Sequence, residues 1–225
     1  MNLYGDYANI NALCRILETN HINYTLEKKT LGDTLNFSEY DFIYMGSGSE
    51  ENQKFALSHL SDYSKELAAY IEEGKIALFT GNSFEMLGES ISSFLGEFSG
   101  LGIFSFNVTE QNKTRNTADS IVKFQGQSLV GFINKCSELN GIKTPLFKVE
   151  MGLANNPQEK VEGILHKNFF GTHLTGPILV KNPNFLKHLA ELLTKQELNL
   201  TAFSNELTGY KITLKKLEER NGATK

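Results

Sequence analysis

The stretch "KIALFTGNSFEMLG", residues 75–88, limits the choice of fold more than any other part of the chain. Ile76–Thr80 is β-branched and apolar, bounded by Gly74 and Gly81, and reads as a short buried strand. Phe84, Leu87, Ile91, Phe94, Leu95 and Phe98 then recur at helical spacing, which predicts a helix starting within a few residues of Ser83. Only Gly81-Asn82-Ser83 separate the two. A buried strand entering a helix through so short a turn is the repeating unit of a parallel α/β sheet. It argues against an all-helical bundle and against an antiparallel barrel.

The neighbouring segments repeat the unit. Ile10, Leu13, Cys14 and Leu17 make one helical stripe, so Cys14 reads as a packing residue. "YTLEKK" (24–29) and "DFIYMG" (41–46) read as strands, the second ending in "GSGSEENQ". Leu57, Leu60, Leu67 and Ile71 mark a helix stopping at Gly74, a common place for a C-terminal glycine. From about Gly100 to Leu174 the pattern becomes short and β-like: "GIFSFNVTE", "DSIVKFQ", "SLVGFI", "LFKVEMG" and "VEGILHKNFFGTHL". Phe185, Leu186, Leu189, Leu192 and Leu193 form a last strong helix. The expected fold is α/β: a doubly wound, mainly parallel sheet flanked by helices, with a β-rich second half. Residues 1–205 read as one domain and 206–225 as a polar C-terminal extension.

Composition narrows the function classes. A net charge of −4 over 225 residues, with Lys and Arg scattered, offers no basic field for nucleic acid or an anionic membrane. No apolar run approaches membrane-spanning length, and "MNLYGDYANI" has no basic region followed by an apolar one, so a cytoplasmic protein is expected. The Asn112-Lys113-Thr114 triplet carries no meaning without secretion. Cys14 and Cys136 form no disulfide framework, and no Cys/His spacing suggests a metal. No cofactor is expected.

A tight turn after a buried strand is where α/β hydrolytic enzymes raise a nucleophile on a strained elbow. Two glycine loops, "GSGS" (46–49) and "TGNS" (80–83), end adjacent strands at the carboxyl edge where such sheets bind ligands. Neither has the lysine of a phosphate loop or the spaced glycines of a dinucleotide site, which disfavours a nucleotide- or flavin-binding domain.

"NLYGD--NI" at the start, "YDFIYMGSGSEENQ" at 40–53, "GNSFEMLG" at 81–88, "GLG" at 100–102, Arg115, and "VEGILHKNFFGT-L-GPIL-KNP" at 161–183 follow one another in a familiar order. Together they resemble the class I glutamine amidotransferases of the cobyric acid synthase-like (CobB/CobQ-type) group. Within it the likeness is strongest to the glutaminase subunit of lipid II isoglutaminyl synthase, over about residues 2 to 193. The resemblance implies a class I glutamine amidotransferase-like (flavodoxin-like) fold. It also implies a subunit that hydrolyses glutamine and passes ammonia to a Mur ligase-like partner, which amidates the D-glutamate of the peptidoglycan precursor.

Such chemistry needs a thiolate on the elbow, a histidine to activate it and protonate departing ammonia, and backbone donors for the oxyanion. In the resembled pattern the elbow reads Cys-Gly-Gly-Tyr-Gln and the histidine lies in Gly-Thr-Tyr-Leu-His-Gly-Pro. On this chain the cysteine position is Gly81 and the histidine position Thr175. Glycine has no side chain to attack with, and a threonine hydroxyl is no base near neutral pH. Ser83 and Thr80 flank the elbow, but each would need its own base. His173 would share a face with Thr175 in an extended segment, about 7 Å along it, and reads as a packing residue in place of the pattern's tyrosine. Cys136, in "GFINKCSELNG", reads as an incidental surface thiol.

Other positions persist. Arg115 matches an arginine that holds the glutamine carboxylate, and reads equally as a solvated loop residue. Gly46, Ser47 and Gly48 match the glycine-rich oxyanion loop, with Asn82 and Ser83 beside them. Gly171, Gly176, Pro177 and Pro183 match structural turns. Gly46, Gly81, Arg115 and Thr175 are expected around one concave pocket. Members of the family carry a further strand before "NLYGD"; here either the true start lies upstream or a partner covers the gap, since a missing inner strand leaves costly sheet edges. Two functions follow. One is a catalytically degenerate binding or scaffold subunit of a Mur ligase-like partner, with glutamine or a glutamine-like ligand. The other is an active amidotransferase or amide hydrolase with a relocated nucleophile.

Overall fold

The computed structural model describes residues 1–3, 5–94, 96–111 and 114–223. In chain order its elements are α1 (Ala8–Thr19), β1 (Phe42–Met45), α2 (Glu50–Ser61), α3 (Ser64–Glu72), β2 (Ile76–Thr80), β3 (Ser90–Ser93), β4 (Gly96–Ser99), β5 (Asn107–Glu110), β6 (Asn116–Phe124), β7 (Gln127–Lys135), β8 (Ser137–Asn140), β9 (Phe147–Met151), β10 (Val161–Glu162), β11 (Ile164–His166), β12 (Phe169–Thr172), β13 (Leu174–Thr175), α4 (Ile178–Lys181), α5 (Pro183–Thr194) and α6 (Ser204–Ala223).

The α/β layering centres on β2. It pairs in parallel with β1 on one side and β12 on the other, and β11 closes that sheet antiparallel. All five β2 residues are buried. Because successive side chains point to opposite faces, Ile76 and Leu78 enter one core with α1, α4 and α5, around Leu13, Phe170 and Phe185. Ala77 and Phe79 enter a second core with α2 and α3, around Leu57, Leu67 and Phe169. A strand covered on both faces has to be apolar throughout, as "IALFT" very nearly is.

The β-rich half forms two further sheets, ordered β10-β9-β6-β7-β13 and β4-β3-β5-β8. Parallel pairing is confined to β1-β2-β12 and to β3 with β5. The polar tail is the helix α6, which lies on β6 and β7 through Leu217 against Ile121 and Val130.

Three local expectations are corrected. Phe84–Phe98 is no long helix: a 3-10 turn spans Gly81–Leu87, then β3 and β4 form a hairpin, with Leu95 outside the described residues. Residues 24–29 form no strand and pair with none among the described residues. The helix through Leu57 and Ile71 is two helices, α2 and α3, before Gly74 at φ +77°. Tyr4 of "NLYGD" and Asn112-Lys113 also lie outside the described residues.

Candidate functional site

The carboxyl ends of β1, β2 and β12 converge. Gly46-Ser47-Gly48 leaves β1, Gly81-Asn82-Ser83 leaves β2, and at His173 the chain steps from β12 in the first sheet to β13 in the second. Ser47, Gly48, Asn82, Glu85, Arg115, Cys136 and His173 line one cavity there, with Glu50, Glu110, Asn134, Lys135 and Ser137. Its free volume is only about 10 Å³, and a second cavity of about 620 Å³ shares Glu50, Glu110, Arg115 and Cys136 with it. Gly46, Gly81, Ser83 and Thr175 are buried behind it rather than lining it, so the single pocket expected around Gly46, Gly81, Arg115 and Thr175 is corrected to one around their neighbours.

At Gly81 the backbone has φ +64°, the elbow conformation that glycine tolerates best. A Cβ placed there would fall inside the envelope of Ser47 Cβ and Oγ. The two amides of the glycine loop are already occupied. Ser47 N–H donates to Asp6 Oδ2 at 2.7 Å, and Gly48 N–H donates to the side-chain carbonyl of Asn82 at 2.9 Å. Asp6 also accepts from Thr80 Oγ1 at 2.7 Å, and burial raises its carboxyl above the usual range despite these bonds. Thr80 is fully buried, and Ser83 Oγ donates to Met45 O and Thr80 O at 2.9 and 2.8 Å. Both hydroxyls tie the elbow to its neighbours.

Arg115, on the approach to β6, donates to Glu50 of α2 and, at 3.1 Å, to Asn134 Oδ1. It is therefore paired with a carboxylate of its own chain. Cys136 is half-buried rather than a surface thiol, and its Sγ donates to Glu50 Oε1 at 3.3 Å. Burial and Glu50 push that thiol up to about 12. Thr175 Oγ1 donates to Phe132 O at 3.1 Å, across the β13–β7 pair.

Sequence reasoning missed a buried network. His173 packs its ring against Phe84, with centroids 4.6 Å apart, but it is more than packing. Its Nε2 lies 2.8 Å from Glu85 Oε1, its Nδ1 lies 3.3 Å from Glu162 Oε1, and its N–H donates to Glu162 at 2.7 Å. Glu85 also accepts from Ser137 Oγ and, at 2.8 Å, from Gln53 Nε2. Burial alone would raise the Glu85 carboxyl, but His173, Ser137 and Gln53 hold it below the ordinary range. Lys135 Nζ donates to Ala154 O and Asn155 O at 2.6 and 2.8 Å. Burial pushes its amine down against the pull of Glu162 and Glu85. The signal was present: Glu85 stands where the resembled elbow has glutamine, and His173 where the later pattern has tyrosine. Two neutral residues are replaced by an acid and a base that meet. Among the described residues, no group of three or more acidic, histidine or cysteine side chains is placed to hold a metal.

Residues 1–183 match the CobB/CobQ-like glutamine amidotransferase domain. The chain is 33% identical over 193 residues to the lipid II isoglutaminyl synthase (glutamine-hydrolyzing) subunit GatD of Staphylococcus aureus strain N315, covering 85% of this chain and 79% of that one. It is 27% identical over 217 residues to the subunit of the same name from Streptococcus pneumoniae strain ATCC BAA-255 / R6, covering 92% and 84%. Among solved structures, it superposes on PurLQS from Thermotoga maritima with TM-score 0.51 at 15% identity, over 83% of this chain and 90% of that one. A glutamine amidotransferase crystal structure gives TM-score 0.55 at 14% identity, over 82% and 93%. These structural likenesses speak for the fold alone; the sequence matches go further, and the chain belongs to the CobB/CobQ-like glutamine amidotransferase family.

Proposed function

We propose that this chain is a non-hydrolysing, amidotransferase-like subunit that acts by binding, docked on a Mur ligase-like partner that amidates the D-glutamate of a peptidoglycan precursor in the cytoplasm. One observation carries the reading: the site is filled by its own side chains. The Asn82 carboxamide sits on the Gly48 N–H, and the Glu50 carboxylate sits on Arg115. These are the two ends of a glutamine side, amide and carboxylate, supplied from within. The cavity that holds Ser47, Gly48, Asn82 and His173 has about 10 Å³ left, on the order of one water molecule; the larger one of about 620 Å³ has Arg115 and Cys136 in its lining but none of those four. At the elbow Gly81 offers no nucleophile, and Ser47 stands in the room a larger residue would need.

The competing reading, an active enzyme with a relocated nucleophile, falls first on Cys136. A thiol pushed up to about 12 and donating to Glu50 is held protonated, and the thiolate is the reactive form. His173 is hydrogen-bonded through Nε2 to Glu85 rather than to Cys136, and its Nδ1, 3.3 Å from Glu162, makes no hydrogen bond.

Co-expression with a Mur ligase-like chain from the same genome tests the binding role. A defined complex should survive gel filtration, and titration of the complex with glutamine should give no saturable heat. Failure of the two chains to associate, or saturable glutamine binding by the unaltered protein, would count against the proposal.

A further inference from the structure

One buried carboxylate oxygen beside the site has no partner among the described residues. Glu110 ends β5, its side chain is only 4% exposed, and Lys54 Nζ donates to its Oε1 at 2.5 Å. Its Oε2 is buried and accepts no hydrogen bond. A buried polar atom left unpaired is costly, so it calls for a group to satisfy it. Glu110 lines the cavity of about 10 Å³ and also the wider one of about 620 Å³, as Glu50, Arg115 and Cys136 do. The unpaired oxygen therefore belongs to the wall that the two spaces share.

The other walls select the ligand. Glu50, Glu51 and Glu110 line the wide cavity, and among the described residues Arg115 is the one base there. Arg115 already donates to Glu50 and, at 3.1 Å, to Asn134 Oδ1, so a carboxylate or phosphate finds its seat taken. Phe94, between β3 and β4, lines the same cavity and is 65% exposed. An exposed ring beside carboxylates suits a cation carried on an alkyl stem. Among the described residues no group of three or more acidic, histidine or cysteine side chains is placed to hold a metal, which points to an organic cation. A primary ammonium is a compact charge with three donors. Its head is about as large as a water molecule, and so is the small cavity.

We infer that the two cavities together bind a primary alkylammonium group. The head enters beside Glu50 and donates to Glu110 Oε2, while the alkyl stem lies in the wide cavity against Phe94. Free amines and the lysine side chain of another protein share this chemistry. The inference rests on the paired state of Arg115, not on whether the chain hydrolyses glutamine.

The test titrates the full chain with n-butylammonium, n-butanol, butyrate, glutamine and Nα-acetyl-lysine amide, read by heat and by the ring resonances of Phe94. Butylammonium and the lysine amide should bind saturably, with Kd on the order of a millimolar. Butanol, butyrate and glutamine should not. Glu110→Gln should weaken the amines by about tenfold, since a charge-assisted hydrogen bond is lost. That change also touches the Lys54 pair, so Phe94→Ala and Glu51→Gln are made beside it. Both positions are exposed; each variant should keep the thermal melt of the unaltered protein and weaken binding by about threefold. Tighter binding of the lysine amide than of butylammonium assigns the amine to a protein side chain, and equal binding assigns it to a free amine. Four results overturn the inference: no saturable binding of either amine, butanol binding as well as butylammonium, displacement of the amine by glutamine, or binding indifferent to Glu110→Gln and Phe94→Ala.

Discussion

Ser47 and Gly81 make a complementary pair: one side chain occupies the volume that the other position lacks. Restoring a nucleophile therefore takes more than one change. Gly81→Cys forces a side chain onto φ +64° and should cost about 1–3 kcal/mol in chemical denaturation. Ser47→Gly should recover part of that cost, so a double-mutant cycle should return a favourable coupling between the two sites. Gly81→Cys with Thr175→His alone should remain inactive in a glutaminase assay, because the Asn82 carboxamide still holds the Gly48 N–H. The buried pair predicts a pH effect. The Glu85 carboxyl is held below its ordinary value of 4.5, so its stabilisation is complete above about that pH and is lost as pH falls through the lowered value. Thermal melts should show this acid loss in the unaltered protein and less of it in Glu85→Gln. That variant should also be about 1–3 kcal/mol less stable at neutral pH, since the hydrogen bonds that His173, Ser137 and Gln53 make to the buried carboxylate are weakened. In the sequence, the glycine at the turn after β2 was legible because a tight turn is local. The self-filling by Glu50 and Asn82 was not, because Glu50 reaches Arg115 from 65 positions away in the chain.

Elements defined by local pattern were legible: β1, β2, α1 and α5 follow from apolar periodicity and bounding glycines. The β3–β4 hairpin was not. Phe84, Leu87, Ile91 and Phe98 have helical spacing, yet long-range packing decides the outcome. Gly100 N–H donates to Glu89 O at 2.9 Å and Gly102 N–H to Gly88 O at 2.9 Å. A Cβ on Gly100 would overlap the Gly88 carbonyl, and one on Gly88 would sit 2.7 Å from the Phe106 ring and carbonyl. Gly88 and Gly100 are points where two backbones touch. Gly100→Ala should therefore destabilise by about 1–3 kcal/mol in urea unfolding. Gly209→Ala, inside α6 with open space around it, should stabilise by about 0.5–1 kcal/mol. Residues 24–29 have the composition of a strand, but strand identity needs a partner to pair with, and among the described residues they pair with none.

Across the whole molecule, the fold is that of a glutamine amidotransferase, and on the proposed reading the positions that would react are altered. Gly171, expected at a turn, lies inside β12, whereas Gly176 does take a positive φ of +72°; at the carboxyl edge of the parallel trio β1-β2-β12 the Ser47 and Gly48 amides and Arg115 are taken up by internal bonds. Groups that act as a unit in covalent catalysis leave little activity when the unit is lost. The most direct measurement is ammonia release from glutamine by the purified chain, alone and with the proposed Mur ligase-like partner. An added arm supplies free ammonium to the same complex. We predict no release above the blank in either case, and amidation by the complex with ammonium but not with glutamine. Glutamine-dependent ammonia release that is abolished by thiol alkylation would contradict the account and place a working nucleophile at Cys136 or Cys14.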